Sequence, residues 1–114
     1  YPGFDFANQA VTTGGVGDIN LETNLFFPGF NQTVGWQILT GVNMDSVREA
    51  PASGYSSAGG PMFQAEPNIG NTVALQLPNG KFALLEVISF SDLGGGITRS
   101  TYRFKYQPDG SRKF

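Results

Sequence analysis

The chain contains neither cysteine nor histidine, and these two absences remove most of the usual catalytic and metal-binding chemistry. Without cysteine there is no disulfide framework, no thiolate metal site and no thiol redox centre. Without histidine there is no nucleophilic triad and no ordinary zinc site. A pair of carboxylates remains as a route to catalysis, but the nine acidic residues are scattered singly along the chain. We therefore predict a protein that is not an enzyme and that uses no cofactor and no metal.

Long apolar runs and a strong net charge are also absent. No stretch approaches the roughly 18 consecutive apolar residues of a membrane span, so no transmembrane segment is expected. The formal net charge is −2, and although five of the seven basic residues fall within positions 99–114, their density is too low for a phosphate-binding surface. We predict no nucleic-acid partner. The first residue is a tyrosine and no signal-peptide core follows, so we expect a secreted or cell-surface protein whose leader has been removed.

Glycine, proline and aromatic residues are abundant instead. The 114 residues include 16 glycines, seven prolines and ten phenylalanines. No window shows a sustained 3.6-residue apolar period, and glycine or proline interrupts nearly every stretch of helical length. Short strands separated by turns fit this composition. We predict one all-β domain over residues 1–114, a small antiparallel β-sandwich.

The last third of the chain predicts a three-strand meander. Its middle strand is apolar on both faces, as expected for a central strand covered on both sides. The Asn-Gly turn before that strand leaves two registers open: a two-residue turn places Val73 on the Phe82 face, and a three-residue loop places it on the Leu85 face. One face then packs against the N-terminal strands, and the other carries exposed aromatics that need a cover. The three strands are expected at residues 71–77, 81–90 and 97–106.

The second hairpin of the meander places one acidic residue beside basic ones. Pairing Phe90 with Ile97 across the SDLGGG turn sets Glu86 near Arg99 and Arg103 on the neighbouring strand. Glu86 is the only acid flanked by apolar residues on a core strand, so a role as a general acid is one alternative. We expect instead an ion pair on the sheet surface with one of the two arginines.

Aromatic side chains exceed what a small core needs, and the surplus predicts a partner surface. We expect a homo-oligomer or polymer that forms by strand pairing and through apolar faces. In one version residues 1–11 complete the sheet edge of a neighbour, and repetition of that contact makes a filament. The candidate partner-binding residues are Phe4, Phe6, Phe26, Phe27, Phe30, Phe82 and Leu84.

A small-molecule or glycan ligand is the competing interpretation. Trp36, Tyr55 and the aromatic cluster at residues 26–30 are the candidates for stacking on a sugar. The Ser/Ala/Gly loop at residues 51–61 is either a connection or a binding loop. Asn31 lies in an Asn-Gln-Thr sequon and is a glycosylation candidate for an exported chain.

Several motifs resemble one known family. From Asn71 through the Asn-Gly-Lys turn to the QPDGS sequence at 107–111, the chain resembles the end of HmuY-like proteins, which are secreted all-β haem-binding lipoproteins. The Phe-Asp-Phe sequence at 4–6 is similar to that family's N-terminal pattern, although Gly17 stands where the family has a tryptophan. The resemblance implies an exported all-β fold and haem as a ligand. Members hold haem by two histidines or two methionines, so it implies a site at Met44 and Met62.

Overall fold

The computed structural model describes residues 3–12, 19–22, 25–28, 35–57, 63–77, 80–95 and 97–114. These residues form strands and two short 3-10 helices, which span Met44–Ser46 and Glu66–Asn68. No helix among them is long and apolar enough to cross a membrane. The strands are β1 (Gly3–Asp5), β2 (Ala10–Thr12), β3 (Ile19–Glu22), β4 (Leu25–Pro28), β5 (Gly35–Leu39), β6 (Ser56–Ser57), β7 (Phe63–Gln64), β8 (Thr72–Gln76), β9 (Phe82–Gly94) and β10 (Ile97–Gln107).

The strands form two antiparallel sheets of five. The first sheet has the order β2-β1-β3-β4-β7, and the second has the order β10-β9-β8-β5-β6. The predicted all-β class and the C-terminal meander β8-β9-β10 are confirmed, because these three strands are consecutive neighbours in the second sheet.

The inner core lies between the two sheets. Val73 pairs with Leu85 and Leu75 pairs with Ala83, so these residues share one face of the second sheet. The backbone N–H of Leu77 donates to the carbonyl of Lys81 at 2.7 Å, which leaves three residues between them. The three-residue alternative of the first turn is therefore correct. The buried residues of this core are Phe4, Phe6, Phe63, Ala65, Val73, Leu75, Leu77, Ala83, Leu85 and Val87.

The opposite face of the second sheet is covered by the chain itself. Residues 39–55 and 112–114, which we call the outer layer, place Met44 and Val47 against Ala74 and Leu84. The end of the chain is tied into this layer by backbone hydrogen bonds from residue 50 to the carbonyl of residue 112 (2.7 Å) and from residue 114 to that of residue 48 (2.8 Å). The expectation that this face carries exposed aromatics is wrong, since the outer layer buries it.

The second hairpin differs from its predicted register because β9 continues through residues 91–94, and β9 also contains a bulge. Phe90 faces Ser100 rather than Ile97, and the pairing shifts between Thr101 and the next residue. The extra residue in β9 is Ile88, which is 45% exposed. Because a bulge advances one strand by a residue, Phe90 points to the inner core together with Val87 and not to the outer face with Ile88.

The two sheets stack with their strands in the same order, but their edge strands do not coincide. The Phe4 ring of β1 lies 4.6 Å from the Phe104 ring and 6.1 Å from the Tyr102 ring of β10. At the other side, Trp36 of β5 lies 5.9 Å from Phe63 of β7. β1 therefore lies over β10 and β7 over β5. Since β2 is the neighbour of β1 on the outer side, the first sheet extends one strand beyond β10.

Candidate functional site

Glu86 is the one buried charged residue in the part of the chain that the structure describes. It stands on the outer face of β9, opposite Arg103 of β10. Its Oε1 atom accepts a hydrogen bond from Arg103 Nε at 2.7 Å, and its Oε2 atom accepts one from the backbone N–H of Met44 at 3.2 Å. Both carboxylate oxygens are therefore satisfied. The predicted ion pair with Arg103 is confirmed, but it is buried on its acidic side and not exposed on the sheet surface.

Arg103 extends this contact to the outer layer. One of its terminal nitrogens lies 3.0 Å from Asp45 Oδ2, and Lys105 Nζ lies 3.4 Å from the other Asp45 oxygen. The hydrogen bond from Arg103 is the main cause that lowers the pKa of Asp45. The hydrogen bond to Glu86 is the main cause that raises the pKa of Arg103. These four residues, which we call the charged cluster, join the 3-10 helix Met44–Ser46 to β9 and β10.

The charged cluster is suited to holding the outer layer in place. A carboxylate pair that performs acid–base catalysis needs substrate or water between its members. Here the Arg103 guanidinium occupies the space between Glu86 and Asp45. Among the described residues there is also no group of three or more acidic side chains that could hold a metal ion. The geometry therefore favours a structural role for these charges.

Four of the predicted partner-binding residues lie inside the chain's own core. The exposed fractions are 7% for Phe4, 0% for Phe6, 8% for Phe82 and 0% for Leu84. Phe4 and Phe6 fill the inner core, and the other two are covered by the outer layer. The expectation of an exposed surface at these four residues is thus corrected.

The side chains of the remaining residues of that predicted surface lie outside the part that the structure describes. Phe26 and Phe27 lie in β4, of which the structure describes the backbone. Phe30 and the glycosylation candidate Asn31 lie outside the described residues. Predictions for these four positions stay predictions.

Of the candidate ligand-binding residues that the structure describes, Trp36 and Tyr55 do not converge. Met44 is 2% exposed within the outer layer, and Met62 lies outside the described residues. Trp36 packs against the inner core, whereas Tyr55 packs against the outer-layer cluster. The two rings are on opposite faces of the second sheet, so they form no common platform for a sugar. A methionine-ligated haem site stays a prediction from the sequence.

Two features at one side of the sandwich were not found from the sequence. β10 is 11 residues long, and within the described residues only β9 pairs with it. Val11 of β2 pairs with the buried Phe4 but is itself 70% exposed. The length of β9 was underestimated because residues 91–94 were assigned to a turn, whereas they continue β9 to Gly94.

Comparison of the chain with protein-family models, with curated proteins and with solved structures finds no match. The resemblance to HmuY-like proteins therefore stays a prediction from the turn motifs at 79–81 and 107–111 and the N-terminal pattern. The functional argument depends on the geometry of the chain itself.

Proposed function

We propose that the protein is a non-enzymatic structural subunit that associates with further copies by exchanging its N-terminal hairpin. The hairpin consists of β1 and β2, at the outer side of the first sheet. The observation that carries this proposal is that Phe4 and Phe6 fill the inner core, although β1 is paired with β3 through two residue pairs. The hairpin is therefore held mainly by its side chains.

Ring packing supports the same conclusion. Phe4 and Phe6 contact each other at 5.2 Å, and both contact Phe104, at 4.6 and 5.6 Å. Removing a buried phenylalanine side chain typically costs about 3–5 kcal/mol. An emptied hairpin site therefore has a strong tendency to be filled, by the chain's own hairpin or by that of another copy.

Exchange preserves these contacts, because the donated hairpin is chemically identical to the one it replaces. Whether the exchanged form prevails depends on the connection after Thr12, whose sequence is glycine-rich, and on protein concentration. If each copy donates its hairpin to the next, the contact does not close on itself and a filament grows. This arrangement is the donor-strand version of the sequence prediction, with a hairpin in place of a single strand.

Association through an exposed apolar face is not part of the proposal. The outer layer covers the face that carries Phe82 and Leu84, so that face offers little apolar surface to a neighbour. An extracellular location remains an expectation from the sequence, and it is compatible with a filament built from a chain that lacks cysteine.

The test begins with the mass of the purified protein by light scattering, with the same sample imaged for fibres. We expect species far larger than 12.2 kDa. A variant without residues 1–12 should form no fibres alone. It should fold as a one-to-one complex when a synthetic peptide of residues 1–12 is added, and a peptide with Phe4→Ser and Phe6→Ser should fail to complement it.

The second part of the test mixes the shortened variant with the full chain. The shortened variant can accept a hairpin but cannot donate one, so it should cap fibres of the full chain and shorten them as its fraction rises. A native protein that stays a 12.2 kDa monomer at all concentrations would contradict the proposal. Normal fibres from the shortened variant would contradict it as well.

A further inference from the structure

Residues 111–114, which we call the closing segment, form a short extended stretch within the outer layer. They follow a turn in which Gly110 has a φ of 81°. Lys113 forms an antiparallel bridge with Glu49, and the two backbone hydrogen bonds that tie residues 112 and 114 to this layer lie on either side of the bridge. Main-chain pairing of an extended segment with another element is also how many domains bind peptides.

The closing segment is held through two side chains that are two residues apart. The Arg112 guanidinium donates to the carbonyl of Ala50 at 2.8 Å and lies 2.8 Å from the Glu49 carboxylate. The Phe114 ring packs against the buried outer-layer cluster that contains Met44. We call the backbone of residues 48–50, the Glu49 carboxylate and this cluster the segment site. The site fits a positive charge at one position and an aromatic ring two positions later.

Lys113, between these two residues, is held mainly through its backbone. Its carbonyl accepts a hydrogen bond from the Gln107 side chain at 2.6 Å, and the residue is exposed. Since alternate side chains of an extended segment point to opposite sides, the middle side chain points away from the Phe114 ring. The pattern that fits the segment site is therefore Arg-Xaa-Phe. Of the four arginines in the sequence, only Arg112 is followed two residues later by an aromatic residue.

The closing segment can leave the segment site without disturbing the sandwich. Among the described residues that form the inner core, none comes from this segment. In its ion pair with Glu49, both side chains are more than a third exposed. Residues 111, 112 and 114 are half-buried, so the site faces solvent once the segment has left it.

A second copy of the chain carries the same segment but is a poor donor of it. Its segment is tethered to its own segment site by the short turn after β10, and tethering of this kind gives an effective concentration on the order of millimolar. Exchange of the segment between copies is therefore negligible at micromolar protein. A separate polypeptide, whose Arg-Xaa-Phe segment is not tethered to a competing site, has no such disadvantage.

We propose that the segment site recognises an extended Arg-Xaa-Phe segment of a partner polypeptide, and that residues 112–114 occupy the site in the free chain. The partner's arginine binds Glu49 and the carbonyl of Ala50, its aromatic ring packs near Met44, and its backbone pairs with residues 48–50. The closing segment is then autoinhibitory, because the partner binds only those molecules in which this segment has left.

The segment site is independent of hairpin exchange. Phe4 and Phe6 of the hairpin lie in the inner core, whereas the segment site lies on the opposite face of the second sheet. The two proposals therefore fail or succeed separately.

The probe is a fluorescein-labelled, C-terminally amidated peptide with the sequence of residues 107–114, QPDGSRKF. The acceptor is the full chain with Arg112→Ser and Phe114→Ser, which empties the segment site. We expect saturable binding to this double variant by fluorescence anisotropy. Binding to the native chain should be at least about tenfold weaker, because its own segment competes. Trp36 fluorescence verifies that the acceptor is folded, and the single variant Phe114→Ala is a milder second acceptor.

Altered peptides test each contact in turn. Arg112→Glu, Phe114→Ser and N-methylation of the phenylalanine amide should each weaken binding at least about fivefold. The methyl group removes the N–H that donates to the carbonyl of residue 48, so it separates strand pairing from charge attraction. Lys113→Gln in the peptide is the matched control. It should change the affinity less than about twofold, since this residue is exposed.

A charge reversal in the acceptor locates the site. Glu49→Arg, added to the double variant, should weaken peptide binding about fivefold or more. Asp92→Arg is the matched control, at an exposed position near the end of β9, and should bind like the double variant alone.

Three results would overturn the proposal. The first is no binding to a folded acceptor, and the second is equal binding to the acceptor and the native chain, which would place the peptide elsewhere. The third is association of the acceptor with the native chain that excess peptide abolishes, since a second copy would then be the occupant. Association that the peptide leaves unchanged belongs to hairpin exchange and does not alter the anisotropy comparison.

Discussion

Glu86 illustrates how one residue can determine where a whole layer of the molecule lies. Its carboxylate receives Arg103 from the neighbouring strand and the N–H of Met44 from the outer layer. A buried charge is tolerated when it is paired and hydrogen-bonded, and removal of one partner leaves an uncompensated group. The position of the 3-10 helix is thus coupled to the β9–β10 register.

We predict that Glu86→Gln destabilises the fold by about 1–3 kcal/mol, because a neutral amide has one acceptor oxygen and cannot accept from both Arg103 and the N–H of Met44. Glu49→Gln is the matched control. Glu49 pairs with Arg112 at 2.8 Å, with both side chains exposed by more than a third, and exposed pairs typically contribute about 0–1 kcal/mol. Urea denaturation followed by the fluorescence of Trp36 gives both values. Equal losses in the two variants would contradict a special role for Glu86.

Ser100 differs from Glu86 because no described residue satisfies its buried polar group with a hydrogen bond. Its hydroxyl oxygen is buried and has no hydrogen-bond partner among the described residues. An unsatisfied buried polar group typically costs about 1–3 kcal/mol, so Ser100→Ala should stabilise the protein by about 1 kcal/mol. Thermal denaturation measures the change. Ser91→Ala, at an exposed position, should leave the stability within about 0.5 kcal/mol of native, and a loss of stability in Ser100→Ala would refute the prediction.

At the scale of elements, the hairpin of β1 and β2 has an unusual turn. Gln9 has a φ of 52°, a left-handed conformation that costs a residue with a side chain about 1–2 kcal/mol. Its N–H donates to the carbonyl of Phe6 at 3.3 Å, and Asp5 accepts a hydrogen bond from the N–H of Asn8 at 3.1 Å. The turn is therefore strained at one residue and hydrogen-bonded around it.

We predict that Gln9→Gly relieves this strain and stabilises the protein by about 1 kcal/mol. Ala7→Gly in the same turn is the matched control, and it should cost about 0.5–1 kcal/mol because glycine is more flexible when unfolded. Differential scanning calorimetry on both variants measures the two effects. If both substitutions destabilise, the conformation of Gln9 is not a source of strain.

The strands and their connections also show which parts of the fold could be predicted from the sequence. Alternating residues and the Asn-Gly turn identified the meander β8-β9-β10, since these signals are local. The bulge at Ile88 was not visible, because its cause is the need to keep both Val87 and Phe90 in the inner core. Cover on both faces of β9 was predicted, but the residues that cover Leu84 were not, since they are distant in the chain and have no strand periodicity. Of the site, the pairing of Glu86 with Arg103 was predictable, and its burial was not.

At the scale of the whole molecule, the distribution of charge sets the response to acid. Hydrogen bonds from Arg103 lower the pKa of Asp45, and the backbone N–H of Ser111 lowers the pKa of Asp109. Both carboxyls therefore have a lower pKa in the folded state than in the unfolded state. Their contribution to stability is complete well above the ordinary pKa of 3.8 and is lost as the pH falls through the folded-state values.

We predict that the free energy of unfolding decreases below about pH 4, and that the double variant Asp45→Asn, Asp109→Asn shows a shallower decrease. Urea titrations at several acidic pH values measure both slopes. Because Asp45 is 60% exposed, added salt should weaken its part of the effect. Identical slopes for the native protein and the double variant would contradict the prediction.

The contact between Phe4 and Phe104 has a consequence during synthesis. These rings touch, yet about 100 residues separate them in the chain. At roughly 5–20 residues per second, the ribosome delivers β10 about 5–20 s after β1. During that interval Phe4 and Phe6 have no Phe104 of their own to pack against, whereas completed copies nearby already contain one. If hairpins exchange as we propose, translation gives each nascent hairpin a period in which a completed copy competes with its own chain.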